Sequence, residues 1–370
     1  MKRSKGWMSL LLCLLLTVSA VPVSFAEEPD LSVTTTVAVI EKYGHAELDI
    51  TIEDFESEGF NLGDIVTVTT ENYVGDMPYF NGYYVEEGED FLRAYPGTDN
   101  IAVCINYGNF AEVSGVEPGD SVTITLKEDD GALAEQEINN LVYSNNRSDY
   151  DLDTVFANFR PVVLGDIAEG ILYRSASPVY NGYGRAVYAN ELAELVRVNA
   201  VMNLASSEED LLAYFEEEDF RSDYYRNLAE GGRVIALGLP VTFGSPEFTQ
   251  GIVRGLTFLS EQDPPYLVHC NEGKDRAGFA SMVLEALMGA SADEIIADYM
   301  LSYQNYYGIE PGTEKYDLLM ESNAMYLLSV ITGADSPEGV NLAEAAETYL
   351  LTSGMKREAL TTLKEKLAGP

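Results

Sequence analysis

From Glu27 to about Asn140, apolar and polar residues alternate in short runs with a period close to two. The runs Leu31 to Ile40, Ala46 to Ile52, Ile65 to Thr70, Gly82 to Val85, Ile101 to Tyr107, Ser121 to Leu126 and Ala134 to Ile138 are rich in Val, Ile, Thr and Tyr. Gly, Asn, Asp and Pro part them, so each is predicted as a strand. An internal repeat supports this: Gly59, Gly63, Asp64, Val66, Thr67 and Thr69 return as Gly115, Gly119, Asp120, Val122, Thr123 and Thr125. Each copy reads as a Gly-Asp turn feeding an alternating strand, and the duplication predicts a small all-β barrel or sandwich. Tyr79, Phe80, Tyr83, Tyr84, Phe91 and Tyr95 either fill its core or line a ligand groove, since strand aromatics serve both ends.

The pattern then changes. Asn139-Asn140 and Ser144-Asn145-Asn146-Arg147-Ser148 carry no apolar period, which puts a domain boundary near Ser148 and gives domains of 27–148 and 149–370. Beyond it, short apolar runs alternate with segments of helical period. Strands are expected at Gly170 to Arg174, Ala200 to Leu204, Arg233 to Leu237 and Tyr266 to Val268, with helices between them and helices alone after Phe279. Such alternation predicts an α/β domain, a parallel sheet with helices on both faces. Ser291-Ala-Asp-Glu294 has the spacing of a capping box opening one of the late helices.

Residues 1–26 stand outside this scheme. Lys2, Arg3 and Lys5 precede an apolar run from Leu10 to Val18, and Ser24-Phe25-Ala26 forms a small-x-small site, so a secretory signal peptide cleaved after Ala26 is expected. The protein is therefore expected to be secreted, or at least extracytoplasmic. No later run has the length of a membrane span. The 370 residues carry 61 acidic and 22 basic side chains, a net charge of −39. That field repels nucleic acid and anionic membranes, and any phosphate must be bound by local cations and amides. With only two histidines, His45 and His269, neither a His-rich zinc site nor a Ser-His-Asp triad is expected. Past residue 26 there are two cysteines: Cys104 lies in a predicted buried strand and Cys270 in the other domain, which argues against a bridge between them.

Chemistry concentrates in Tyr266-Leu-Val-His269-Cys270-Asn271-Glu272-Gly273-Lys274-Asp275-Arg276-Ala277-Gly278-Phe279, predicted as strand, tight loop and helix. Backbone N–H groups of a compact loop at a helix N-terminus favour negative charge. The same field favours a thiolate at Cys270, which is expected to have a depressed pKa and to be nucleophilic. Arg276, six positions on, offers phosphate oxygens a planar pair of donors.

This order, His-Cys-x-x-Gly-x-x-Arg, resembles the signature of the cysteine-dependent tyrosine and dual-specificity phosphatase superfamily. The finer pattern with Gly273-Lys274-Asp275-Arg276 is similar to bacterial atypical phosphatases that act on phosphotyrosine, phosphoserine/threonine and phosphoinositides. Leu172-Tyr173-Arg174-Ser175 and Asp298-Tyr299-Met300-Leu301-Ser302 resemble further segments of that branch.

The resemblance implies a Cys270 nucleophile, an Arg276 clamp, and a phosphate cradle built from Asn271, Glu272, Gly273, Lys274, Ala277 and Gly278. No metal or organic cofactor is needed. The substrate is expected to be a phosphoprotein, with a phosphoinositide or inositol phosphate as the alternative and a phospho-ligand-binding pseudophosphatase as the alternative of another class. A third reading gives the β domain a role in attachment to wall or glycan. Asp275 is the expected proton donor to the leaving group, with Glu247 as rival. Arg174 either meets substrate or pins a loop by an ion pair. His269 is expected to be structural, and Lys274 either engages a second phosphate or pairs with a nearby carboxylate. Ala277 stands where the family usually has Ser or Thr, and Asn203-Leu204-Ala205 where the branch often has Asp-Leu-Arg; Glu272 adds a negative charge to the cradle.

Overall fold

The computed structural model describes residues 31–217, 222–334 and 336–370. The expected signal peptide lies outside them. By contacts the chain divides into two units, the first ending at Gly131 and the second running Ala132–Pro370. The polar stretch around Ser148 thus belongs to the second unit, and the division falls earlier than the sequence pattern suggested.

In the first unit seven strands close a barrel in the order β1-β2-β6-β5-β4-β3-β7. They are β1 (Ser32–Ile40), β2 (Ala46–Thr51), β3 (Ile65–Thr69), β4 (Val74–Phe80), β5 (Asp90–Arg93), β6 (Asn100–Ile105) and β7 (Ser121–Glu128). All neighbours are antiparallel except β4 and β5. Closure leaves no free edge. Two short helices, α1 (Ile52–Ser57) and α2 (Phe110–Ser114), each precede one copy of the sequence repeat. The copies fold alike. Asp64 Oδ2 accepts from the Asn61 N–H at 2.7 Å and Asp120 Oδ2 from the Glu117 N–H at 2.8 Å. Each Asp thereby fixes the turn that launches its strand, and β3 and β7 lie side by side with Thr67 opposite Thr125, Val68 opposite Ile124 and Thr69 opposite Thr123.

Two expectations fail here. Gly82 to Val85 is not a strand; the chain pairs through Val74–Phe80 and Asp90–Arg93 on either side of it. Ala134 to Ile138 is helical, within α3 (Leu133–Asn139). Its Ala, Glu and Gln are strong helix formers, and five residues are too few to separate a period of two from one of 3.6.

The second unit holds a sheet in the order β11-β10-β12-β9-β8. Here β9 (Leu172–Ser175), β10 (Ala200–Asn203), β11 (Val234–Ala236) and β12 (Tyr266–His269) are parallel. The edge strand β8 (Arg160–Pro161) runs antiparallel to β9, so the sheet is mixed. Alternate residues of the central strands feed two cores. Ala200, Met202, Tyr266 and Val268 join one, with α8 (Pro246–Glu261) and α9 (Asp275–Leu287). Val201 and Leu267 join the other, with α5 (Ala186–Leu195), α6 (Glu208–Phe215) and α7 (Asp223–Glu230). A short helix α4 (Asp153–Phe156) precedes β8. After α9 come α10 (Ala292–Tyr307), α11 (Glu314–Leu319), a π-helical turn, α12 (Tyr326–Thr332), α13 (Leu342–Thr352) and α14 (Arg357–Leu367). Ser291 and Glu294 make the expected capping box at the start of α10. Every residue of α9 from Ala277 to Leu287 is buried, so the helix that follows the Cys270 loop is fixed by the sheet and by α10, α12 and α13. Among the described residues no helix is long and apolar enough to cross a membrane.

Candidate active site

The carboxyl ends of β9, β12 and β10 lie next to one another, and their following segments, Ser175 to Ser177, Cys270 to Lys274 and Asn203 to Ser206, form one end of the sheet. This is where open α/β sheets bind ligands. Cys270, 3% exposed and a free thiol, follows the buried β12 directly. Cys104 is also free and fully buried in β6.

The loop is held from beneath through its carbonyls. Asn271 O accepts from the Ser177 N–H at 3.0 Å. Glu272 O accepts from Asn158 Nδ2 at 3.1 Å and from the Tyr306 hydroxyl. The buried Arg174 gives Nη2 to Gly273 O at 2.9 Å and to Lys274 O at 3.0 Å. In a trans peptide the N–H points opposite to the carbonyl before it. The N–H groups of Glu272, Gly273, Lys274 and Asp275 therefore face away from this underside, and none donates to a protein acceptor among the described residues. The turn needs glycine at 273: its φ is +71°, and a Cβ there would sit 2.3 Å from the Ser175 carbonyl carbon. Gly278 is needed for a different reason, since a Cβ would lie 2.6 Å from the Tyr299 ring and 2.9 Å from Arg174 Nη2.

Arg174 has no exposed surface, and its Nη1 pairs with Asp298 Oδ2 at 2.6 Å. Through these bonds it pins the loop, the second of the two roles expected for Arg174. Asp298 also accepts from Arg160 Nε at 2.8 Å, and Arg160 Nη1 donates to Asn158 Oδ1 at 2.7 Å. Although burial opposes ionisation, the two guanidiniums hold Asp298 well below the usual carboxylate range. Glu285, buried on α9 beside this network, is pushed well above its ordinary value, by burial first and then by Asp298. Burial thus favours its protonated form within a charged cluster.

His269 is fully buried and burial lowers its pKa to about 3. Its Nδ1 lies 3.3 Å from Cys270 O, which can only accept, so the neutral ring carries its proton there. Nε2 then accepts from the Tyr225 hydroxyl at 3.0 Å, and Tyr225 accepts from Asn203 Nδ2 at 3.3 Å. Asn203 Oδ1 in turn receives the Ala205 and Ser206 N–H groups, both at 3.0 Å. This chain of neutral bonds suits Asn where the branch often has Asp.

Lys274 is folded down. Its side chain is 13% exposed, with Nζ 3.8 Å from Glu272 Oε2 and 4.0 Å from Asp275 Oδ2. It donates to the Tyr307 hydroxyl at 3.2 Å and lies 5.1 and 5.3 Å from the ring centres of Tyr303 and Tyr307. Burial works against its charge, but Asp275, the two tyrosines and Glu272 outweigh it and hold Lys274 above its ordinary value. Burial raises the Asp275 carboxyl, with Lys274 opposing. Arg276 Nη1 donates to Leu239 O at 2.8 Å, which ties it to the segment before α8, while Glu247, in the first turn of α8, is exposed.

Sequence reasoning missed the tyrosines at the mouth. Tyr143 donates to Glu272 Oε1 and stacks on Tyr306 at 5.0 Å. Tyr183 is raised by burial and then by Glu272, and it feels Arg276 and Cys270 as well. The buried Arg185 lies 4.3 to 5.3 Å from the faces of Phe156, Tyr306, Tyr143 and Tyr150. The abundance of Tyr, 24 residues, was the available signal.

A cysteine leading a carbonyl-tied loop into the N-terminus of a buried helix, with arginine in its first turn, belongs to the class of cysteine-dependent phosphatases. Residues 162–369, more than half of the chain, match the model of the tyrosine phosphatase family, and the chain belongs to that family. A protein of Cupriavidus necator that bears a provisional tyrosine-protein phosphatase name is 50% identical over 38 residues, 10% of this chain. The match spans only 14% of that relative's length. Among solved structures, the core catalytic domain of the S. cerevisiae PP-IP phosphatase SIW14, in complex with citrate, is 17% identical. The match covers 44% of this chain and 88% of that one, with a TM-score of 0.26. An uncharacterized conserved protein from Thermotoga maritima is 19% identical, covering 26% and 37%, with a TM-score of 0.24.

Proposed function

We propose that the chain is a secreted phosphomonoesterase of the protein-tyrosine or dual-specificity type, working through a thiophosphate on Cys270. The observation that carries this is the loop itself, in which the carbonyls of residues 271 to 274 are all taken from below. Amides facing the other way, at a helix N-terminus, suit the three non-bridging oxygens of a phosphate ester. The Cys270 thiolate attacks phosphorus as the ester P–O bond breaks, and Asp275 gives its proton to the leaving oxygen. A water oxygen then attacks phosphorus, the S–P bond breaks, and a water proton returns to Asp275. Asp275 is favoured over Glu247 because it adjoins the loop and its acid is stabilised by burial. Arg276 supplies paired donors to the equatorial oxygens.

A tyrosine-lined mouth favours an aryl phosphate, whose ring meets Tyr143 and Tyr183. Lys274, already engaged by Glu272, Asp275 and Tyr307, gives less support to a polyphosphorylated substrate. The test is phosphate release under reducing conditions from an aryl phosphate, phosphopeptides, phosphoinositides and inositol hexakisphosphate, each against Cys270→Ser. Turnover that prefers phosphotyrosine and vanishes in the Ser variant is expected. No release from any substrate by folded, reduced protein would overturn the reading and leave a phosphate-binding module.

A further inference from the structure

The first unit contains a cleft of about 760 Å³ lined by Tyr43, His45, Tyr83, Asn106, Tyr107 and Asn109. Three of these rings face solvent: Tyr107 is 88% exposed, Tyr43 67% and Tyr83 43%. Scattered apolar residues on a surface are ordinary, but three large rings around one concavity mark a contact site. Tyr107 is carried out on a left-handed backbone, φ 55°, a conformation that a bulky residue adopts at a cost. Its ring stands almost wholly in solvent at the cleft, where a ligand can reach it.

The lining carries no carboxylate and no Lys or Arg, and a balanced ion pair stands behind it. Arg93 forms a paired bond with Glu41, at 2.5 and 3.1 Å, and donates to the Tyr83 hydroxyl at 3.5 Å. Since arginine only donates, Tyr83 accepts there and turns its own proton to His45 Nε2, 3.4 Å away. Burial, and then Arg93, lower the His45 pKa, so the ring is neutral and its remaining proton sits on Nδ1. That Nδ1–H is buried and has no partner among the described residues, while His45 as a whole is 5% exposed. An unpaired buried donor is costly, and a slight shift of the ring toward the cleft it lines would let a ligand oxygen relieve it. Asn106 spends its Nδ2 on Val85 O at 2.8 Å and keeps an amide oxygen that can accept.

We infer that this cleft binds a neutral saccharide, with the tyrosine rings against the C–H faces of the sugar and its hydroxyls on His45 and Asn106. The chemistry selects for this class. A chain of net charge −39 disfavours anionic ligands. Sugar hydroxyls both accept, as from His45, and donate, as to Asn106, while the C–H faces of the same ring stack on tyrosine. A proline-rich peptide also stacks on tyrosine but offers only acceptors from its proline units.

The test uses the whole chain on an array of neutral oligosaccharides containing glucose, mannose, galactose, xylose and N-acetylhexosamines, with decaproline as the peptide control. Hits are followed by titration calorimetry. At least one saccharide should bind, and Tyr107→Ala and Tyr43→Ala should each weaken it about tenfold, a plausible loss for one stacked ring. Both side chains are exposed, so folding and phosphate release should be unchanged, which separates this proposal from the phosphatase reading. Absence of any saccharide binding, saccharide binding indifferent to both substitutions, or tyrosine-dependent binding of decaproline alone would each overturn it.

Discussion

Replacing Arg174 by Met separates a loop-holding arginine from a substrate-binding one. The guanidinium is fully buried and makes three charged bonds, to Asp298 at 2.6 Å, Gly273 O at 2.9 Å and Lys274 O at 3.0 Å. Removing one member of a buried ion pair costs about 3–5 kcal/mol, largely through the partner left behind. Here Asp298 keeps Arg160, so we expect a loss near the lower end, roughly 3 kcal/mol. The assay is urea unfolding of the second unit's transition by far-UV circular dichroism; the sequence's single tryptophan, Trp7, falls in the expected signal peptide and gives no probe afterwards. Turnover should fall as well, by roughly a hundredfold, because two loop carbonyls lose the donor that orients their peptides. Arg174→Lys should not rescue it, since an ammonium cannot reproduce the planar fork. A Met variant with native stability and an elevated KM would refute the reasoning and return Arg174 to the substrate.

Two further predictions follow from the same loop and its support. Gly273→Ala combines a positive φ with a Cβ 2.3 Å from the Ser175 backbone, so turnover should drop roughly a hundredfold while the second unit stays folded; near-normal kcat would show that the loop is not held as described. Burial raises Glu285 above its ordinary 4.5, so its proton is retained in the folded chain and released in the unfolded one. Its contribution to stability is therefore full below about pH 4.5 and is lost as pH rises through the folded pKa. Glu285→Gln stays neutral throughout, and should gain stability relative to the parent between pH 5 and pH 8 in paired urea titrations; a difference independent of pH would refute a neutral Glu285.

Much of the site was legible because its elements are local. Strand, loop and helix around Cys270 are consecutive, and their signature residues need one another within a few positions. What holds the loop was not legible, because its donors come from far along the chain. Asn158, Arg160 and Asp298 meet only after β8, β9 and α10 have packed, and nothing near Arg185 in sequence announces four aromatic faces around it. In the barrel, the alternating runs identified most strands, but Val74–Phe80 was hidden by Gly75, Asp76 and Pro78. Pairing with β3 and β5 overrides their poor propensity.

The register of β3 against β7 has a symmetry in it. The repeat equates Val68 with Ile124, and these two are cross-strand partners; Thr67 faces Thr125 and Thr69 faces Thr123, each the counterpart of the other's neighbour. A local two-fold axis therefore passes between Val68 and Ile124, and the contact has the isologous form of a symmetric dimer interface, built within one polypeptide. One copy of the unit carries an edge complementary to itself, so duplication joined in a single chain what two identical chains would otherwise have to find by collision.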